Sequence, residues 1–205
     1  MRYLLIPIKD LTNAKQRLAP VLSGPERIIL ATRMMERTLN EAAQVERADR
    51  VAIVTTYPPA IALATSLGME VIQEERQVSE SESVDRGSRE LIRRGASAVL
   101  RIPIDLPLLT ARDIDSILAE DGDGPLAVLV PSRDGTGTNA ILRHPPDLFP
   151  SSFGPNSLAR HLAAAAATTA PCRIIENPNI ALDLDDPADL EVCRKAGLLD
   201  PLSSL

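Results

Sequence analysis

The sequence predicts an α/β domain whose mostly parallel sheet is covered by helices on both faces. Three observations carry that expectation. Short, continuous apolar runs of the buried-strand type alternate with helical segments along the chain. The 17 prolines fall largely in the connections, where they remove no ladder hydrogen bonds. A length of 205 residues, with 44% hydrophobic and 24% charged side chains, suits one domain with a substantial core. No repeat, low-complexity linker or charge block divides the chain, so residues 1–205 are read as one domain.

The elements follow in order. Tyr3–Ile8 is the first strand. Ser23 is the N-cap of the first helix, with Glu26 three residues on completing a capping box and Ile28, Ile29, Met34, Met35 and Leu39 as its apolar stripe. Val51–Thr55 is the second strand, and Pro59–Leu67 a helix stopped by Gly68. Glu70–Ile72 is the third strand, and Ser83–Arg94 a helix ended by Gly95. Ser97–Ile102 is the fourth strand, Ala111–Leu118 a helix capped by Thr110, and Leu126–Val130 the fifth strand. A strand near Ala140–Leu142, an alanine-rich helix over Ser157–Ala167, a strand at Cys172–Ile175 and a helix over Ala188–Lys195 complete the chain.

Composition narrows the function. Only 2% of residues are aromatic, with two Tyr, two Phe and no Trp, which disfavours recognition of nucleic acid by base stacking. The formal charge of −6 offers no footprint for a polyanion, and no basic or aromatic belt marks a membrane surface. Cys172 and Cys193 stand apart from each other and from any His cluster, as buried thiols of a reducing compartment do. The N-terminal apolar run is too short for a signal segment, so the expected location is cytoplasmic. Apolar helix faces leave room for a homodimer.

In sheets of this class ligands sit outside the carboxyl ends of the strands, which selects the loops to read. After the first strand come Lys9, Lys15 and Arg17, spaced so that they can converge on a polyphosphate; the same spacing suits a solvated loop. After the fourth strand, Asp105 stands between Pro103 and Pro107, a carboxylate placed to hold Mg²⁺ while substrate phosphates supply the other oxygens. Asp183 and Asp185 alternate with Leu184, so both carboxylates face one way and suit a divalent cation, whereas Asp186 before Pro187 reads as a helix cap. The stretch Ser132–Ala140 alternates Gly and Thr, giving close backbone amides and hydroxyls for a carboxylate or phosphate; a plain turn between strands is the alternative. Phe153–His161 leads into a helix N-terminus, and His161 there reads as a surface or packing residue.

With these loops in view, the sequence resembles the guanylyltransferases of coenzyme F420 biosynthesis (the CofC/FbiD family), nucleotidyltransferases with a Rossmann-like, GT-A-like α/β fold. The likeness runs nearly end to end, through PIK…AK-x-RL at Pro7–Leu18, P-x-DLPLLT at Pro103–Thr110, RDGTGTNA at Arg133–Ala140, FGPNSLARHL at Phe153–Leu162 and ALDLDDPADL at Ala181–Leu190. The resemblance implies transfer of GMP from GTP to a phosphorylated three-carbon acid, with release of pyrophosphate. In the family the acid is 2-phospho-L-lactate or phosphoenolpyruvate, and related enzymes take 3-phospho-D-glycerate. It implies Mg²⁺ at Asp105, Asp183 and Asp185, the acid at Thr138, Gly154 and Ser157, and the GTP phosphates at Lys9, Lys15 and Arg17, with Lys15 and Asp105 catalytic.

One stretch departs from the family. Where relatives commonly carry a Gly-Leu-Asn segment that receives the base, this chain has Val78–Gly87, with Asp85 or Glu82 as readers of guanine or, equally, a solvated helix start rich in capping residues. The rival readings are another nucleotidyltransferase, of molybdopterin or sugar-phosphate type, and a non-catalytic nucleotide-binding module. The small Gly/Thr pocket argues against the first and the full set of aspartates against the second.

Overall fold

The computed structural model describes residues 1–195 and Gly197. Seven strands form one sheet: β1 (Arg2–Ile8), β2 (Arg50–Thr55), β3 (Glu70–Gln73), β4 (Ala98–Arg101), β5 (Leu126–Pro131), β6 (Thr138–His144) and β7 (Cys172–Ile174), in spatial order β3-β2-β1-β4-β6-β5-β7. All pairings are parallel except those of β6, which runs antiparallel to β4 and β5. The sequence expectation of a mostly parallel sheet therefore holds, and its single inversion has a consequence. β1 to β5 all end at one edge, and β6 begins there, so Thr138 starts a strand beside the places where the others finish.

β1 shows how the sheet is covered. Its side chains alternate, with Leu4, Ile6 and Ile8 in the larger core and Tyr3 and Leu5 in the core on the opposite face. The first face is covered by α1 (Gly24–Ala42), α2 (Pro58–Ser66) and α4 (Ala111–Leu118), through residues such as Met35, Leu39, Ala60, Ala64, Ile114 and Ile117. The second is covered by α3 (Glu80–Arg93), through Val84 and Leu91. Beside it α5 (Ser157–Ala166) packs Ala165 against Ala127, Leu129 and Ile141.

The expected caps are present. The Ser23 side chain accepts from the Glu26 amide while Glu26 accepts from the Ser23 amide, and Thr110 and Asp113 form the same reciprocal pair. Three details differ from the sequence reading. The buried stripe of α1 runs through Leu30, Ala31, Met34, Met35 and Leu39, leaving Ile28 and Ile29 half-buried at its rim. α3 begins at Glu80, capped by Ser79 through the Glu82 amide at 3.1 Å, because that cap precedes the first apolar residue by a turn. A short helix, α6 (Pro178–Ala181), is added, with Asn177 accepting from the amides of Asn179 and Ile180 at 2.9 and 3.1 Å. The last helix among the described residues is α7 (Pro187–Lys195), whose first amides are capped by Asp186 as expected.

α3 lies close on the sheet because Gly87 faces it: a Cβ there would stand 3.0 Å from Leu5 Cδ2 and 3.6 Å from Val54 Cβ. Gly87→Val is therefore expected to lift α3 or distort Leu5, costing about 1–3 kcal/mol. A urea-unfolding midpoint unchanged from wild type would contradict this packing.

Candidate active site

Three aspartates and one lysine meet at the carboxyl edge of the sheet. Asp105 follows β4, and its carbonyl accepts the Leu184 amide at 3.0 Å, which fastens the extended 182–185 segment beside the β4 loop. Leu182 and Leu184 point into the core and Asp183 and Asp185 point out, the alternation expected of that segment. Lys15 comes from the loop after β1. Its Nζ lies 3.3 Å from Asp105 Oδ2 and 3.0 Å from Asp185 Oδ1, with the side chain only 10% exposed. Lys15 adopts a left-handed backbone conformation (φ 53°), uncommon for a side-chain-bearing residue and held here by the two ion pairs. Burial alone would lower the Lys15 pKa, but Asp105 and Asp185 outweigh it and raise it, so the ammonium stays charged. Asp105 is pushed up by burial and, more strongly in sum, down by Lys15 and Arg101 to below its ordinary value. Asp183 is different. Burial and the like charges of Asp105 and Asp185 raise its pKa, and its hydrogen bond comes from neutral Asn139 at 3.3 Å.

The Gly/Thr loop joins β5 to β6 and is organised from inside. Asp134 accepts from the Ser132 hydroxyl at 2.6 Å and from the Thr136 amide and hydroxyl at 2.9 and 2.8 Å, which lower its pKa to about 2. Both glycines are required, each for its own reason. Gly135 has φ 71°, and a Cβ on Gly137 would sit 2.7 Å from Ser132 Oγ, the atom that accepts the Gly137 amide. The loop ends on Thr138, whose amide donates to Ser157 Oγ at 2.9 Å and whose hydroxyl oxygen lies 3.0 Å from His161 Nδ1. Gly154, with φ 100°, turns the chain into α5.

These parts line one cavity of about 520 Å³, with Asp105, Asp183, Asp185 and Arg17 on one side and residues 136–139, Gly154 and Ser157 on the other. Arg101 and Arg133 also line the cavity, although the sequence reading gave neither a role. Arg101, at the end of β4, is 4% exposed, lies 4.1 Å from the ring centre of Phe153, pairs with Glu80 and donates to the Asn139 carbonyl at 3.0 Å. Burial lowers its pKa to about 10, partly offset by Asp105, so it remains a cation at neutral pH. Arg133 reaches Asp189 at 2.6 Å. Asn139, inside the Gly/Thr motif but given no role there, joins Asp183 to the carbonyls of Ile180 and Ala181.

The family described as "Guanylyl transferase CofC like" matches residues 1–194. The chain belongs to this family. Among curated relatives of this CofC-like chain, a phosphoenolpyruvate guanylyltransferase of Rubrobacter xylanophilus is 36% identical over 195 residues, covering 95% of this chain and 94% of the relative. A 3-phospho-D-glycerate guanylyltransferase of Colwellia psychrerythraea is 31% identical, covering 92% and 89%. Among solved structures, a nucleotidyl transferase from Methanothermobacter shares the fold at TM-score 0.62 and 15% identity, covering 97% of this chain and 98% of that one. No helix among the described residues is long and apolar enough to cross a membrane.

Most of the CofC-like motif residues come together in the folded chain. Asp105, Asp183, Asp185, Arg17, Thr138, Gly154 and Ser157 line the cavity, and Lys15 is tied to two of the aspartates. Lys9 does not join them: it is exposed and lies outside the lining. Asp85 is a correction. Because α3 starts early, Asp85 falls in its second turn and faces the 149–151 segment, where it accepts from buried Arg143 at 3.3 Å and from the Ser151 amide at 3.0 and 3.1 Å. That leaves it outside the cavity, while Glu80 in the first turn lines it and Glu82 is exposed. Of the two readings of His161, surface or packing, the structure supports packing: it is fully buried, and both ring nitrogens are bonded.

Burial and the nearby Arg143, Arg101 and Arg160 lower the His161 pKa from 6.5 to about 4. Between those values the unfolded chain binds a proton that the native state does not, so stability rises with pH across the window and falls on acidification. The contribution is of the order of 3 kcal/mol over the whole window. Unfolding free energies measured between pH 7 and 4 are expected to fall less steeply for His161→Asn than for wild type. Equal slopes would contradict a neutral, buried imidazole.

Proposed function

We propose that the protein is a Mg²⁺-dependent guanylyltransferase that joins GMP from GTP to a phosphorylated three-carbon acid and releases pyrophosphate, as in coenzyme F420 biosynthesis. The observation that carries the reading is the facing of two unlike walls across one small cavity. One wall is the set of aspartates with Lys15 and Arg17, and the other is the Gly/Thr loop with Ser157. Membership of the CofC-like family supports the guanylyl transfer, and the names of the relatives support phosphoenolpyruvate or 3-phospho-D-glycerate as the class of acid.

The donor set fits a hard divalent ion. It is made of carboxylate oxygens, and Asp183 lies under the like charge of two neighbours with no ion pair among the described residues, a strain that a cation would relieve. Among the described residues no three carboxylates close on one point, and Lys15 lies between Asp105 and Asp185 instead. That arrangement still suits Mg²⁺, which is ordinarily held by one or two carboxylates with waters and substrate phosphates completing its shell. Asp183 with Asp105 or Asp185 would hold it, and bound there it would neutralise charge on the phosphates.

The rest follows from charge. The phosphate of the acid is anionic at neutral pH and needs no general base. One of its oxygens forms a new bond to the α-phosphorus of GTP, the bond from that phosphorus to the β-phosphate bridge breaks, and pyrophosphate leaves with the electron pair. The obstacle is repulsion between two anions, so the work is positioning and neutralisation. Lys15, charged and fixed by its two aspartates, and Arg17, 75% exposed and 3.9 Å from Asp185 Oδ2, offset the polyphosphate. Thr138, Gly154 and Ser157 hold the acid against the opposite wall. Catalysis therefore uses no Ser-His or Cys-His pair.

A pyrophosphate-release assay of the purified chain with GTP or ATP against phosphoenolpyruvate, 2-phospholactate and 3-phosphoglycerate is expected to give turnover with GTP and at least one acid. Turnover is expected to cease when EDTA removes divalent ions and to return with excess Mg²⁺; no release with any pairing would sink the reading. Asp105→Asn is expected to lower turnover by at least about a hundredfold with the circular-dichroism spectrum unchanged. Retained turnover in that variant would remove Asp105 from the site.

A further inference from the structure

His161 belongs to none of the groups the transfer reaction requires, yet it is among the most constrained side chains in the protein. It is 0% exposed, its ring packed at 5.0 Å edge-on to Phe153 and 6.4 Å from Phe149, measured between centroids. Both ring nitrogens are committed. Nε2 faces the backbone amide of Ser152 at 2.9 Å, and an amide can only donate, so Nε2 is an acceptor. A neutral ring that accepts at Nε2 carries its proton on Nδ1. That proton points at Thr138 Oγ1, 3.0 Å away. An imidazolium, or the opposite tautomer, would set a ring N–H against the Ser152 N–H with no acceptor between them. The positive surroundings of Arg143, Arg101 and Arg160 disfavour the charged ring for a second reason.

The consequence falls on Thr138. Its hydroxyl oxygen is already accepting from His161, and among the described residues it has no other hydrogen-bond partner, so its own proton is free to turn toward the cavity that Thr138 lines. The neighbouring hydroxyl is arranged in the same way: Ser157 Oγ accepts the Thr138 amide, which leaves its proton free as well. A hydroxyl can donate or accept, and an unfixed one loses rotational freedom when it binds an anion. Two hydroxyls whose oxygens are already occupied present a pair of donors, as an anionic substrate needs.

We propose that His161 is a positioning residue for the acid substrate: as a fixed Nδ1–H donor it sets the Thr138 hydroxyl to donate into the cavity. The proposal rests on the reading that a phosphorylated acid lies against Thr138 and Ser157, and it adds the group that decides the polarity of that contact.

Two experiments test it. The chain has two histidines, so ¹⁵N-histidine labelling in a His144→Gln background leaves His161 as the one signal. Long-range ¹H–¹⁵N spectra at pH 7 are expected to show a neutral ring protonated on Nδ1; an Nε2–H tautomer or an imidazolium would overturn the proposal. In steady-state pyrophosphate release, His161→Leu is expected to raise the KM for the acid by about tenfold while the KM for GTP stays within about twofold. His161→Asn, whose Nδ2–H can stand where Nδ1–H stood, is expected to recover most of that loss. In a Thr138→Val background His161→Leu should add little, since the hydroxyl it orients is gone. The two possible failures are separable. If Thr138→Val leaves the acid KM unchanged, the pocket reading falls and this proposal with it. If Thr138→Val weakens the acid but His161→Leu does not, or weakens GTP equally, the proposal alone falls.

Discussion

The ammonium of Lys15 is the contact on which the rest of the site depends. It ties the loop after β1 to Asp105 after β4 and to Asp185 in the segment before α7, three pieces of chain that sequence holds far apart. Two carboxylates that close would repel each other in a partly buried setting. A single cation between them turns that repulsion into attraction, and the left-handed backbone at Lys15 is part of the cost of reaching that position. Asp183, left outside this arrangement, keeps the electrostatic strain that a bound cation or a phosphate-bearing substrate with its counter-ion would relieve.

The inversion of β6 gives the cavity its second wall. A parallel strand at that place would reach the carboxyl edge only at its end, as β4 does with Arg101 and Asp105. Because β6 runs the other way, its first residues Thr138 and Asn139 stand at that edge, and the Gly/Thr loop bends over them. Arg101 lines the same cavity, held by Glu80, Phe153 and the Asn139 carbonyl. Phe149 and Phe153 flank His161, and each also lies near a buried arginine, so both support the pocket, which Phe153 also lines.

Much of the architecture is legible in the sequence because local rules and burial agree. Ser23 with Glu26 and Thr110 with Asp113 begin their helices where hydrogen-bonding chemistry says they should, and the apolar runs of β1, β2 and β5 are strands because they are buried on both faces. The alternation of Asp183 and Asp185 about Leu184 likewise follows from backbone geometry alone. Lys9 and Asp85 show where such reasoning stops. Both are of suitable type and within reach in the linear sequence, but the turn that carries Lys15 inward leaves Lys9 in solvent, and the three residues by which α3 begins early rotate Asp85 toward Arg143.

By itself the sequence determined the strand-and-helix order, the carboxyl-edge loops and the identity of the charged and hydroxyl side chains available there. These are properties of single segments, set by periodicity, capping and turn chemistry. Only the tertiary structure decided which of those side chains meet, because that depends on the direction of β6, the register of α3 and the packing of buried arginines whose partners lie up to tens of residues away. His161 is the clearest instance. In sequence it is one histidine on a helix, whereas in the fold the Ser152 amide fixes its proton and makes it a donor to Thr138. The protonation state of a buried group belongs to its neighbours, and those are assigned only when the chain is folded.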